Sequence, residues 1–407
     1  MLESTHFQYD LSQLTKNERD IIVKLQKVGE IVHKIWLKQY DPENKIIKLY
    51  PLDISKEELI KANNENSKIL SPYTIVKRGR DRKLYTVDFH KEYEREYNNI
   101  AQLLDQVCKI SEDKDLNKYL LEVKKNLLKG NYDKILEVFL TFKNTKIDIL
   151  LGPIESYNDN IMGVKRTFQY SLRVMRVEET ENVSKMSDIV KKLGILKPSG
   201  SVSVRLRSDA IKFRVDDVLM FAGRQTGSMP SSTNLPNEPE YVKRFGVKIV
   251  VYHNSLIQKF TKELKPLLKY VNNFDVKRTK TSMSDANYRL IVLHEIAEGT
   301  VKYMGMEKRL GEYFDVVREL NADIFGVRSA KYHLLNGLIS QEEYNELLIA
   351  FLIFAINVCH KANRDTSIMV YARGFYMIFN YLVKMKALVF KNNTMTVNFE
   401  KLSSYID

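Results

Sequence analysis

The chain has 407 residues, with 64 Lys and Arg against 51 Asp and Glu and a formal net charge of +13. With 44% hydrophobic and 28% charged residues it has enough apolar matter for a sizeable core, which excludes wholesale disorder. Two cysteines, Cys108 and Cys359, exclude a disulfide framework and a cysteine-based zinc site, and they point to a reducing compartment, the cytoplasm.

Met1–His6 carries no basic segment followed by an apolar one, so no signal peptide is expected. Leu11, Leu14, Ile21, Ile22, Leu25, Val28, Ile31, Ile35 and Trp36 keep a helical period and predict an amphipathic helix within 11–45. A second helical stretch follows at 55–70. Tyr73–Val76 and Leu84–Val87 then bracket the basic run Lys77-Arg-Gly-Arg-Asp-Arg-Lys83, which reads as the tip of a hairpin. A solvated turn is preferred there over a phosphate site. No zinc finger, helix-turn-helix or aromatic ribonucleoprotein motif accompanies it, so no nucleic-acid partner is expected.

Residues 90–143 return to helix, with Tyr93, Tyr97, Ile100, Leu103, Leu104 and Val107 on one face. Asp148–Pro153 predicts a strand running into a turn, and 156–180 a loop followed by a strand. Residues 183–227 predict short helices and polar loops, and 228–238 the clearest loop of the chain. Val247–Tyr252 is a β-prone run, 255–390 reads as helix, and 387–399 as a closing pair of strands. The most apolar run, Leu347–Cys359, is shorter than the roughly 20 residues of a membrane span and is expected to be a buried core helix, with no membrane partner.

His294-Glu-Ile-Ala-Glu298 is close to the His-Glu-x-x-His zinc signature, with Glu298 in place of the second histidine. On a helix, residues four apart stack on one face, so His294 and Glu298 can hold one ion with Glu295 beside it as base. Glu319, 25 residues downstream, is the candidate third ligand, and Asp323, one turn later, the carboxylate that orients His294. One imidazole and two carboxylates make a hard, anionic set that would take Zn2+ or another divalent cation such as Mn2+.

Three other features allow chemistry but also have ordinary explanations. Tyr157 follows the Gly152-Pro153 turn, where a phenol can donate to an oxyanion, or simply sit at a core edge. Asn234 and Asn237 bracket Pro236; their amides suit backbone recognition of an extended peptide, or plain turn chemistry. Arg373 interrupts an apolar helical pattern, so it must be paired, reach a cleft or snorkel to the surface.

Taken in order, these segments resemble the dipeptidyl peptidase III family of zinc metallopeptidases, especially its shorter bacterial branch. The resemblance rests on His294–Glu298 with Glu319-Leu-Asn-Ala-Asp323, on Gly152-Pro-Ile-Glu-Ser-Tyr-Asn-Asp159, on Asn234-Leu-Pro-Asn237 followed by the strand 247–252, and on Tyr371-Ala-Arg-Gly374. Ser71–Val76 also resembles the bacterial branch, so the match spans roughly residues 70–390. It implies Glu295, Tyr157 and Arg373 as catalytic, Glu155, Asn234 and Asn237 as substrate-binding, and His294, Glu298 and Glu319 as metal ligands. The sequence departs from the family at Glu298, at Gln169 (often Glu in the family), and at Met369-Val-Tyr371, where the family has a catalytic histidine.

The expected fold is α+β and mostly α. It has two lobes, a helical metal-binding lobe and one with a small β-barrel-like sheet from segments near 72–88, 146–180, 245–253 and 387–399, with a cleft between them. Along the chain, 1–180 would supply N-terminal helices and part of the β-containing lobe, 181–260 the rest of the sheet and the substrate loop, and 261–407 the metal-binding helices and a final strand pair. The expected function is metal-dependent removal of dipeptides from short peptides. A catalytically degenerate peptide- or protein-binding relative is the alternative, and the oligomeric state is left open.

Overall fold

The computed structural model describes residues 3–193, 211–279, 281–301, 307–363 and 368–405. The chain divides into two units interleaved in sequence, Met1–Met175 with Asp216–Pro230, and Arg176–Val215 with Ser231–Asp407.

In the first unit, helix α1 (Lys16–Gln39) begins at a capping box. Thr15 accepts from the Glu18 backbone, and the Glu18 carboxylate accepts from the Thr15 backbone. Its buried stripe, Ile21, Ile22, Leu25, Val28, Val32, Ile35 and Trp36, has the helical period seen in the sequence. Helices α2 (Lys56–Glu65), α3 (Glu94–Ile110), α4 (Lys114–Lys129) and α5 (Tyr132–Thr141) follow. Strands β1 (Thr74–Arg78) and β2 (Leu84–Asp88) form the expected hairpin. Arg78, at the end of β1 where the basic run begins, is tied to acidic neighbours, to Glu58 at 2.6 Å and to Asp53 at 3.3 Å.

The unit's main sheet is antiparallel. It contains β3 (Ile147–Glu155), β4 (Thr167–Met175) and the end of β5 (Ile211–Gly223), with Leu151 opposite Tyr170 and Arg173 opposite Val218. Residues 211–215 of β5 belong to the second unit. Gly223 closes β5 at φ 64°, and a Cβ there would lie 2.3 Å from the Phe168 carbonyl oxygen. Gly223→Ala is therefore expected to cost about 1–3 kcal/mol in backbone strain alone. Urea unfolding tests this, and an unchanged midpoint would contradict it.

The second unit contains α6 (Val177–Leu193), the strand pair β6 (Ser232–Leu235) and β7 (Val247–Tyr252), then α7 (Met283–Val301), α8 (Phe314–Leu335), α9 (Gln341–Ala362) and α10 (Met369–Lys384). It ends in the hairpin β8 (Leu388–Lys391) and β9 (Thr394–Val397) and a short helix, Phe399–Tyr405. Val215, Val247, Ile249, Leu290, Leu293, Ile296, Leu348, Phe351 and Phe375 share its core. Helix α9 contains the apolar run and at 22 residues is long and apolar enough to cross a membrane. Here it is a core helix, with Tyr344 and every residue from Leu347 to Ile353 buried.

The mostly helical α+β architecture is as expected, with four corrections. The strands form no closed barrel among the described residues, because β1–β2 and β8–β9 stand as separate two-stranded sheets. Strand β5 lies where loops and short helices were expected. Its Arg214, Asp216 and Asp217 read as polar but are buried, and 194–210 lie outside the described residues. The expected loop 228–238 contains β6, which pairs with β7. Residues 260–278 are π and 3-10 turns rather than continuous α-helix, with Pro266 removing a backbone donor there.

Candidate metal centre

The apolar residues Leu290–Leu293, Ile296 and Ala297 bury α7 and carry His294, Glu295 and Glu298 inward with it. Gly326 lets α8 approach closely, since a Cβ there would sit 3.1 Å from the backbone nitrogen of His294. That approach brings Glu319 and Asp323, both on α8, to His294. Asp323 Oδ1 lies 2.8 Å from His294 Nδ1, and Glu319 Oε2 lies 3.5 Å from His294 Nε2. Asp323 thus fixes the ring through Nδ1 and leaves Nε2 as the atom directed toward Glu319.

His294, Glu295 and Glu298 each present a possible ligand atom within 4.8 Å of the others. Strand β6 reaches into the same cluster. Ser232 donates to Glu295, and Asn234 Nδ2 donates to Glu295 Oε2 at 3.1 Å and to Glu298 Oε2 at 2.6 Å. Arg318 closes the other side, with Nη1 2.9 Å from Glu298 Oε1 and Nη2 2.9 Å from Glu319 Oε1.

Glu295, Glu298, Glu319 and Asp323 are all buried, at 4–7% exposure. Four carboxylates therefore face one guanidinium and one imidazole, and the cluster is short of positive charge. The titration shifts have this common origin. Burial and the neighbouring Glu298 raise Glu295, and the same two causes push Glu319 up to about 8. Burial opposes charge on His294, but Asp323, Glu295 and Glu319 outweigh it and raise the imidazole to about 10. This donor set, one oriented imidazole nitrogen among buried carboxylates in need of a cation, fits a divalent metal ion.

The other candidate residues are placed as follows. Asn237 and Arg373 are exposed, Asn237 beyond the end of β6 and Arg373 on α10. Glu155 and Tyr157 belong to the first unit. There Arg224 forms an ion pair with Glu155, donates from Nε to Gln169 Oε1 at 2.9 Å, and lies 5.0 Å from the centre of the Tyr157 ring. Tyr157 is 72% exposed. Its loop is held by Asp159, whose carboxylate accepts from Tyr50 and from the backbone of Ile161, Met162, Val164 and Lys165. Sequence reasoning assigned no role to Ser232, Arg224 or Arg318. Arg318 adjoins a proposed ligand, but its partner Glu298 is remote in sequence and no local pattern marks the pairing.

No family model matches the chain. The Nudix hydrolase 3 of Arabidopsis thaliana is 24% identical over 336 residues, covering 80% of this chain and 42% of that protein. The chain thus spans less than half the length of that curated relative. The structure of DPP III from Caldithrix abyssi aligns with 100% of this chain and 88% of its own, at TM-score 0.87 and 19% identity. The fold is that of dipeptidyl peptidase III. The dipeptidyl-peptidase III from Corallococcus sp. strain EGB agrees, at TM-score 0.79 and 19% identity over 99% of this chain and 85% of its own. The dipeptidyl peptidase III-like fold is the one implied by the sequence resemblance.

Proposed function

We propose that the chain is a metal-dependent exopeptidase of the dipeptidyl-peptidase type, acting on short peptides. The observation that carries this is the buried cluster on α7 and α8, in which Glu295 lies beside an oriented His294 and two further carboxylates. His294, Glu298 and Glu319 would hold Zn2+ or another divalent cation such as Mn2+. The ion would supply Lewis acidity, polarising a peptide carbonyl and acidifying water. Glu295 takes the proton of the attacking water at a carboxylate oxygen and passes it to the departing amine. Ser232 and Asn234 fix the Glu295 carboxylate for that transfer. Tyr157, Arg373, Glu155 and Asn237 take their proposed roles from the sequence resemblance. Cys108 and Cys359 are free thiols, which suits the reducing cytoplasm.

The alternative is a non-catalytic peptide-binding relative. It is favoured by one observation: both oxygens of Glu298 already have partners, Arg318 and Asn234. Chelation separates the two readings. An exopeptidase loses hydrolysis of short unblocked peptides when Zn2+ is removed and regains it when Zn2+ or Mn2+ is restored. A binding module hydrolyses none in any metal, and its peptide binding survives chelation.

A further inference from the structure

Arg318 lies on α8 with its side chain 17% exposed and its guanidinium 5.9 Å from the centre of the Phe314 ring. Its fork holds one oxygen of Glu298 and one of Glu319, each at 2.9 Å, while the exposed Asp315 lies farther away, 3.4 Å from Nη2, where water screens its charge. A guanidinium is always charged, weakly hydrated and shaped to hold carboxylates in this way.

We propose that Arg318 is the charge partner of Glu298, a positioning residue that gives the His294–Glu298–Glu319 set the net charge of a two-histidine, one-carboxylate site. This rests on the reading of those three side chains as metal ligands. In the state that would hold an ion, with the imidazole deprotonated and both carboxylates ionised, these ligands carry two negative charges, and one remains once the guanidinium is bonded to both carboxylates. A second histidine in place of Glu298, with no arginine nearby, also leaves one. The glutamate at 298 and the arginine at 318 therefore work as a unit, and exchanging the glutamate alone leaves a guanidinium that has lost one partner and repels a divalent ion. Glu319 keeps Oε2, 3.5 Å from His294 Nε2, outside the Arg318 fork, so charge compensation does not consume its donor capacity.

The test is a Zn2+ titration against a competing chelator. It compares the full chain with Glu298→His, with Glu298→His plus Arg318→Gln, and with Glu298→His plus Arg318→Lys. Glu298→His alone should weaken Zn2+ binding by about 10–100-fold, the range seen when groups around a metal site are lost. Adding Arg318→Gln should recover about tenfold or more, whereas adding Arg318→Lys, which keeps the charge, should recover none. A merely structural arginine would give the opposite order, with the double variants weaker still. If position 298 does not accept an imidazole and the variant unfolds, Glu298→Gln with and without Arg318→Gln carries the same charge contrast and the same expected order. Zn2+ binding by Glu298→His as tight as wild type, or no gain from Arg318→Gln, overturns the proposal and leaves the metal site standing. A wild-type chain that takes up no Zn2+ overturns both.

Discussion

Glu295→Gln protein is expected to hydrolyse short peptides about 10²–10⁴-fold more slowly than wild type, the usual contribution of a positioned general base. Its Zn2+ content should stay the same, because Glu295 is the proton acceptor in this scheme and His294, Glu298 and Glu319 are the ligands. The amide matches the carboxylate in size, so the packing of α7 around Leu293 and Ile296 is preserved. Its oxygen can still accept from Ser232. Its NH2 group, however, faces Asn234 Nδ2, a donor that bonds both Glu295 and Glu298 in wild type. Asn234 can turn its oxygen to the new amide only by giving up Glu298, so some disorder at Glu298 is part of the expected result. Glu295→Asp, which keeps the charge and withdraws it by one methylene, separates the two effects. It gives Asn234 no reason to turn, so the Asn234–Glu298 bond should persist, and it should still lose most of the rate through misplacement. Because the cluster is short of positive charge, removing one carboxylate should not lower the metal-free melting temperature. Turnover by Glu295→Gln within a few-fold of wild type would sink the general-base assignment.

The sequence made some parts of this architecture legible and concealed others for physical reasons. Helix α1 was readable because its buried stripe and its Thr15–Glu18 cap are local signals. The His294–Glu298 spacing was readable for the same reason, since one helix turn sets it. Strand β5 was concealed because charged residues at 214, 216 and 217 broke the apolar alternation, although tertiary partners allow them to be buried. Strand β6 was concealed by its Ser, Thr and Asn content, which reads as turn chemistry. Its pairing with β7 and the bonds from Ser232 and Asn234 to Glu295 are tertiary facts. Asn234 illustrates the difference most directly. The resemblance assigned it to substrate, whereas here its amide holds two carboxylates of the cluster. Glu155 is similar, assigned to substrate and found paired with Arg224, so a cationic group of a substrate would compete with a guanidinium for it.

Arg173→Met is expected to destabilise the first unit by about 3–5 kcal/mol, the cost of leaving a buried charge uncompensated. Arg173 on β4 stands directly opposite Asp148 on β3 in the strand register, with Nη2 3.0 Å from Asp148 Oδ2. Its Nε lies 3.7 Å from Asp216 Oδ2 on β5. All three side chains are fully buried, and the guanidinium lies 5.7 Å from the centre of the Phe139 ring. Water cannot screen the two carboxylates once the arginine is gone, so the loss should be nearly independent of added salt, unlike the loss of an exposed pair such as Lys38–Glu96. The favourable Coulomb energy of the triad is largely spent on desolvating it, so the apolar replacement Arg173→Met with Asp148→Val and Asp216→Val should recover most of the stability. Similar exchanges elsewhere are neutral or stabilising by about 1–4 kcal/mol. Urea unfolding of the single and triple variants, at low and high salt, measures both. A single variant within about 1 kcal/mol of wild type would mean that the carboxylates are satisfied without Arg173. A triple variant as unstable as the single one would mean that the arginine is needed for its shape and packing against Phe139, not for its charge.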